Sequence, residues 1–161
     1  MKYKLTKNFI EYKGKKLYQI EALKHFEVVK AGNMGGYIES EDNLSQEGNC
    51  WIYDNALVYG KAKIYDDAKI YDNAVISGDA EVYGKAKIYD DAIVSDKAEV
   101  YGYAIVCGNA EVYGNAEVCG NAEVCGYAKI YDNALVYGKA KIYDDAKIYD
   151  NAEVCGNLFI S

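Results

Sequence analysis

The sequence predicts an all-β chain coiled into a parallel β-helix, and three observations carry that prediction. From Ala56 to Ala152 an alanine recurs at every sixth residue, seventeen times, with no insertion or deletion. Two positions after each of these alanines stands Ile or Val. Between one such pair and the next lie Gly or Asp and then Asn, Asp, Lys or Tyr, which are turn and surface residues.

Each hexad has six slots: a polar residue, Ala, a residue that is mostly Lys or Glu, Ile or Val, then Tyr, Cys or Ser, and finally Gly or Asp. In extended backbone, alternate side chains point to opposite sides, so Ala and Ile/Val share the inner side. The Lys/Glu slot and the Tyr slot share the outer side. Slots six and one form a corner. Such short strands separated by corners do not suit a hairpin sheet, but they suit a coil in which each strand pairs with the strand one turn away. Eighteen hexads run from Asn49 to Gly156, with Cys50 in the alanine slot of the first and Trp51 beside it; the frame continues through Leu158 and Ile160. Periodicity alone admits a two-sided coil with two hexads per turn or a three-sided coil with three. The three-hexad lag stacks the outward aliphatics Leu57, Val75 and Ile93, but it also stacks Glu81, Glu99 and Glu117, which like-charge repulsion disfavours.

Composition narrows the function. The 161 residues contain no arginine and no proline, and the net charge is −7. Residues 1–42 carry a small positive excess, whereas residues 43–161 are strongly acidic. An acidic array without arginine is a poor grip for phosphate backbones, so no direct nucleic-acid partner is expected. Neither a signal peptide nor an apolar run of membrane-spanning length is visible, so no membrane partner is expected. Five cysteines, an odd number, mostly occupy the Tyr slot of the repeat, which points to free thiols in a cytoplasmic setting. Cys107 and Cys125 lie three hexads apart, within disulfide reach in a three-sided coil.

Residues 1–42 break the hexad frame and form an N-terminal cap; residues 43–161 form the β-helix. Within the cap, Asn8–Tyr12 and Lys16–Glu21 read as a hairpin about Gly14, Ala22–Lys30 as a short helix or loop, and Gly32, Gly35 and Gly36 as a bend. A cap is needed because an open coil end exposes unpaired strand edges.

The hexad pattern resembles the hexapeptide repeat of left-handed β-helices, which implies three sides and about six coils. The segment His25-Phe26-Glu27-Val28-Val29-Lys30-Ala31-Gly32, followed by Gly35-Gly36, Leu44-Ser45-Gln46 and Cys50-Trp51-Ile52-Tyr53-Asp54, is similar to the start of YdcK-like proteins. That resemblance implies a bacterial β-helix of unassigned function, of a type met in phage and prophage settings.

Well-known left-handed β-helix proteins include acyltransferases, which use a histidine base, and carbonic anhydrases, which need three histidine ligands. This chain has one histidine, His25, in the cap, and no loop interrupts the repeats. Neither catalytic residues nor a metal or cofactor site are therefore expected. Stacked corner carboxylates at Asp54, Asp72 and Asp90 are explained by turn preference before Ca²⁺ binding. The expected function is a non-enzymatic scaffold that binds protein and self-associates as a homodimer or trimer. One alternative is a phage-type inhibitor that docks on a host protein or mimics nucleic acid with its acidic face. The remaining alternative is an acyltransferase-like enzyme. Candidate interaction residues are the aliphatic row Leu57, Val75 and Ile93 and the aromatic row Tyr53, Tyr71 and Tyr89, whose rings offer ledges for sugars or a partner. Leu158, Phe159 and Ile160 are candidates for an end-to-end contact. Finally, segments Ile52–Ala74 and Ile130–Ala152 are identical throughout, at an offset of thirteen hexads, so in a three-sided coil the two copies start on different faces.

Overall fold

The structure is a computed structural model describing residues 1–161. It is a parallel β-solenoid of seven turns preceded by an antiparallel hairpin, and its sole helical element is a 3-10 turn at Glu41–Asn43. From Trp51–Ile52 onward, two-residue strands recur once per hexad, at slots three and four. Each pairs in parallel with the strand three hexads away, as Leu57 does with Val75 and Val75 with Ile93. The coil is therefore three-sided. No helix is long and apolar enough to cross a membrane.

The corners explain the alternation of Gly and Asp in slot six. That residue adopts the left-handed backbone region, as at Asp72 (φ 55°) and Gly84 (φ 67°). Gly enters this region freely, and Asp is among the few L-residues that tolerate it. The aspartates also bind across turns: Asp90 donates its backbone N–H to the Asp72 carboxylate at 3.2 Å, and Gly108 donates to Asp90 at 3.0 Å. The Asp54–Asp72–Asp90 column is thus occupied by amide donors along its length.

The core matches the inner slots. The repeat alanines from Ala56 through Ala140, and the Ile or Val two positions after each, are completely or almost completely buried. Each Ile or Val contributes on the order of 2 kcal/mol by leaving water. Alanine keeps each inner corner narrow enough for the three walls to meet.

The first turn begins earlier than the hexads do. β1 (Tyr3–Tyr12) and β2 (Lys15–Ala22) form the expected hairpin, longer than the sequence suggests, and β3 (Met34–Ile38) pairs antiparallel with β2. On its other side β3 pairs in parallel with Leu57–Val58, and Leu44 bridges to Ile64. Segment 34–48 therefore closes a seventh turn, where six were expected, and the solenoid starts inside the stretch read as cap. Gly35 and Gly36 lie within β3 rather than in a bend. A Cβ on Gly36 would sit 2.6 Å from the Ala56 carbonyl oxygen, and one on Gly35 2.6 Å from that of Ile52. These glycines serve close backbone approach. The 22–30 segment forms no helix; it is a loop tied by mutual backbone bonds between Phe26 and Val29.

The cap closes the exposed carbonyls of the first turn. Lys2 is 1% exposed, and its ammonium donates to the carbonyls of Glu47, Gly48 and Cys50. The Tyr3 hydroxyl donates to Leu44 at 2.6 Å. Buried Asn43 donates to Gly60 and Ala62 in the second turn and accepts from Glu39 and Ser40 in its own. Trp51 stands in an outward slot yet is 1% exposed, covered edge-on by Tyr3 and Phe26.

Candidate functional site

Three flat faces, each carrying two outward ladders, and two clefts at the cap seam make up the functional surface. The sequence-predicted rows lie on two different faces. Leu57, Val75 and Ile93 stack on the first face, which continues from the cap as one nine-stranded sheet. Tyr53, Tyr71 and Tyr89 follow the strands of the second face, in the rows of Ile52, Ile70 and Ile88. They do not form one surface.

The aliphatic row is only partly open. Leu57 is 8% exposed, wedged between Tyr37 and Val75 in the ladder, so it is a core-like residue and not a free surface. Val75 is half-buried and Ile93 is 38% exposed. The tyrosine row is also less available than expected. Tyr53 and Tyr71 stack at 4.5 Å with planes 10° apart, so each spends on the other the ring face turned toward it. The same holds for Tyr65–Tyr83–Tyr101 and Tyr113–Tyr131–Tyr149, with centroids 4.7–5.3 Å apart. Such ladders present ring edges and hydroxyls, and a sugar needs the ring faces.

The third face resolves the glutamate stack. Glu81, Glu99 and Glu117 are direct neighbours in the ladder, as the three-hexad lag requires. Tyr65, Tyr83 and Tyr101 each donate a hydroxyl to the glutamate of the next turn, at 2.7, 2.9 and 3.1 Å. Charge-assisted bonds of this kind offset the repulsion. They also hold the phenol protons: burial and then the Glu81 and Glu99 carboxylates raise Tyr65 and Tyr83 above the ordinary tyrosine range. The sequence carried this signal as a Tyr in one hexad and a Glu in the outward slot of the turn that follows.

The first face lacks that pattern. In the corresponding positions beyond Tyr113 and Tyr131 stand Lys129 and Lys147, so the Tyr-to-Glu bond of the third face is not repeated there. Glu111 instead pairs with Lys129 at 2.9 Å. The row also has two missing rungs, because Ser77 and Ser95 stand where Tyr59 and Tyr113 flank them.

Cys107 and Cys125 are joined by a disulfide, with Cα atoms 4.6 Å apart. This corrects the expectation of free thiols for that pair: one row in adjacent turns brings the two sulfurs together. Cys50, Cys119 and Cys155 are free. Cys50 lies buried with its sulfur 3.2 Å from the Lys2 ammonium; burial pushes the thiol up and the ammonium down.

Two clefts open where the cap meets the solenoid. One, of about 470 Å³, lies among Asp42, Lys61, Lys63, Asp79 and Glu81. The other, of about 220 Å³, lies among Glu27, Asp67, Lys69, Lys85 and Lys87, with Glu27 paired to Lys69 across the seam. Neither has an apolar lining residue, unlike ordinary small-molecule sites. Exposed His25 lines neither; its Nδ1 accepts the Ala31 N–H at 3.4 Å. At the far end, Leu158 and Phe159 are exposed, Ile160 is half-buried, and the Phe159 ring stacks on Tyr143.

These features define a hexapeptide-repeat parallel β-solenoid. Residues 128–144 match the family model described as YdcK Beta solenoid repeat. The chain is also similar to a protein of Escherichia coli (strain K12) named "Uncharacterized acetyltransferase YdcK", with 55% identity over 49 residues. That match covers 30% of this chain and spans about 15% of the relative's length.

Proposed function

We propose that this protein is a non-enzymatic scaffold that associates with a second copy of itself through the first face. The observation that supports the reading is the Val75–Ile93 strip, where half-buried Val75 and exposed Ile93 stand in an outward slot filled mostly by Lys and Glu. A rigid solenoid binds with little ordering loss, which favours docking over chemistry. A cytoplasmic setting is part of the same proposal, supported by the free thiols of Cys50, Cys119 and Cys155. The exposed Leu158 and Phe159 offer a second, end-on contact. Sedimentation of the full chain over a rising concentration series tests the reading. The mass should climb from monomer toward dimer, and a monomer at every concentration overturns it.

The relative's name favours a second reading, acetyl transfer. His25 is the single histidine available as a base, and it lies outside both clefts. Incubation with acetyl-CoA and an amine or sugar acceptor should release no free thiol. Turnover that disappears in His25→Ala would install the enzymatic reading instead.

A further inference from the structure

We infer that the third face is a relay for oxidising equivalents: the stacked rings of Tyr65, Tyr83 and Tyr101 pass a one-electron vacancy along the solenoid to the Cys119 thiol. This goes beyond the scaffold reading and does not depend on self-association.

A phenol gives up an electron readily at neutral pH only when its proton leaves too, so each ring needs a base at its hydroxyl. The third face supplies one per rung. Tyr65 donates to Glu81 at 2.7 Å, Tyr83 to Glu99 at 2.9 Å and Tyr101 to Glu117 at 3.1 Å. Electron exchange also needs rings that lie face to face. Tyr65 and Tyr83 stack at 4.7 Å with planes 4° apart, and Tyr83 and Tyr101 at 4.9 Å with planes 3° apart. The next rung of this row is Cys119, a half-buried free thiol in the turn paired directly with that of Tyr101. Its sulfur lies within hydrogen-bond reach of the Tyr101 hydroxyl; that contact, followed by burial, raises Tyr101 above the ordinary tyrosine range. From Tyr65 to Cys119 the row spans three rungs, roughly 14 Å.

Atoms and electrons balance at each step. A small nitrogen- or oxygen-centred radical takes one electron from Tyr65 and is reduced to its anion. The Tyr65 proton passes to Glu81, leaving a neutral phenoxyl. Tyr83 then gives an electron to Tyr65 and a proton to Glu99, while Glu81 returns its proton to Tyr65. The same exchange moves the vacancy to Tyr101. There the Cys119 S–H transfers its hydrogen atom to the Tyr101 oxygen, and Glu117 releases its proton to water. A thiyl radical remains on Cys119, which is where oxidative modification collects.

The other faces carry stacked rings without these parts. Tyr113, Tyr131 and Tyr149 stack at 5.1 and 5.3 Å, but Lys129 and Lys147 stand in place of the glutamates and no cysteine shares the row. An ammonium accepts no proton, so the vacancy has no base beside it there. The tyrosine row of the second face runs into the Cys107–Cys125 disulfide, which has no thiol hydrogen to give.

Pulse radiolysis of the full chain with the azide radical, a one-electron oxidant of tyrosine, tests the relay. A Cys155→Ser background removes the second thiol, which lies beside Tyr137. The phenoxyl absorption should show a first-order decay phase whose rate does not change with protein concentration. Cys119→Ser should abolish that phase. Glu81→Gln with Glu99→Gln keeps an oxygen acceptor at each hydroxyl but takes up no proton, and should slow the phase by about tenfold or more. Tyr83→Phe keeps the ring stack but breaks the chain of phenols, so the phase should lose the amplitude contributed by Tyr65 and Tyr83. Circular dichroism and melting check that each variant is folded; if the glutamine pair is not, Tyr83→Phe decides. The relay is overturned by a wild-type chain without the first-order phase, by a phase that survives Cys119→Ser, or by an amplitude unchanged in Tyr83→Phe. A rate unchanged in the folded glutamine pair overturns it as well.

Discussion

Segments 52–74 and 130–152 share one sequence and occupy different surroundings. The strand at Ile52 lies on the second face and the strand at Ile130 on the first. Their cores are interchangeable: Ala62 and Ala140, and Ile64 and Ile142, are all at most 1% exposed. Their surfaces are not. Leu57 is 8% exposed beneath the cap sheet, whereas its twin Leu135 is more open, with Glu117 and Glu153 as ladder neighbours. Lys69 is tied to Glu27 of the cap, but its twin Lys147 is exposed. Tyr65 donates to Glu81 in the following turn, and its twin Tyr143 reaches back to Glu123. The hexad specifies what faces inward, because every turn offers the same interior. It does not specify what a surface side chain meets, because that neighbour lies three hexads away and varies.

The strongest test of this contrast attacks the shared part. Ala62→Glu and Ala140→Glu each bury an unpaired carboxylate, and each should cost more than about 4 kcal/mol in denaturant unfolding. If one copy tolerates the change, the cores are not equivalent. A smaller effect should separate the twins. Tyr53 packs against the core below the cap, so Tyr53→Ala should cost about 1–2 kcal/mol, while Tyr131→Ala, on the open face, should cost roughly half as much or less. Equal losses would mean that the cap adds nothing to its neighbouring turn.

The mildest test uses pH. Burial, followed by Tyr71 and Asp54, pushes Tyr53 up to about 12, and the hydrogen bond to Glu123 pushes Tyr143 up to about 12. An unfolded tyrosine ionises near about 10. Between these values the folded chain keeps protons that the unfolded chain releases. The stabilisation is therefore fully present below about pH 10 and is lost as pH rises toward 12. Tyr53→Phe and Tyr143→Phe should each flatten the alkaline fall in melting temperature. A slope unchanged by both would detach the ladders from alkaline stability.

Where the sequence reading failed, the cause was a contact remote in the chain. Trp51 occupies an outward slot by period and is covered because Tyr3 and Phe26 fold over it. Gly35-Gly36 has the composition of a bend but lies in a strand, since the Ile52 and Ala56 carbonyls leave no space for a Cβ. Cys107 and Cys125 stand three hexads apart and become neighbours only when the coil closes with three sides. Of the proposed surface, Val75 and Ile93 were legible as outward aliphatics. The tyrosine-to-glutamate bonds of the third face were not, because their meaning depends on which rows share a face.

By itself the sequence determined the rungs, the alanine-lined core and the left-handed corner residues, since each follows from alternation and backbone preference within a single hexad. Only the tertiary structure decided the extra first turn, the cap that buries Lys2 and Trp51, and the pairing of each face's ladders. Those depend on turns stacking three hexads apart and on a hairpin folding back across them, which no local period encodes.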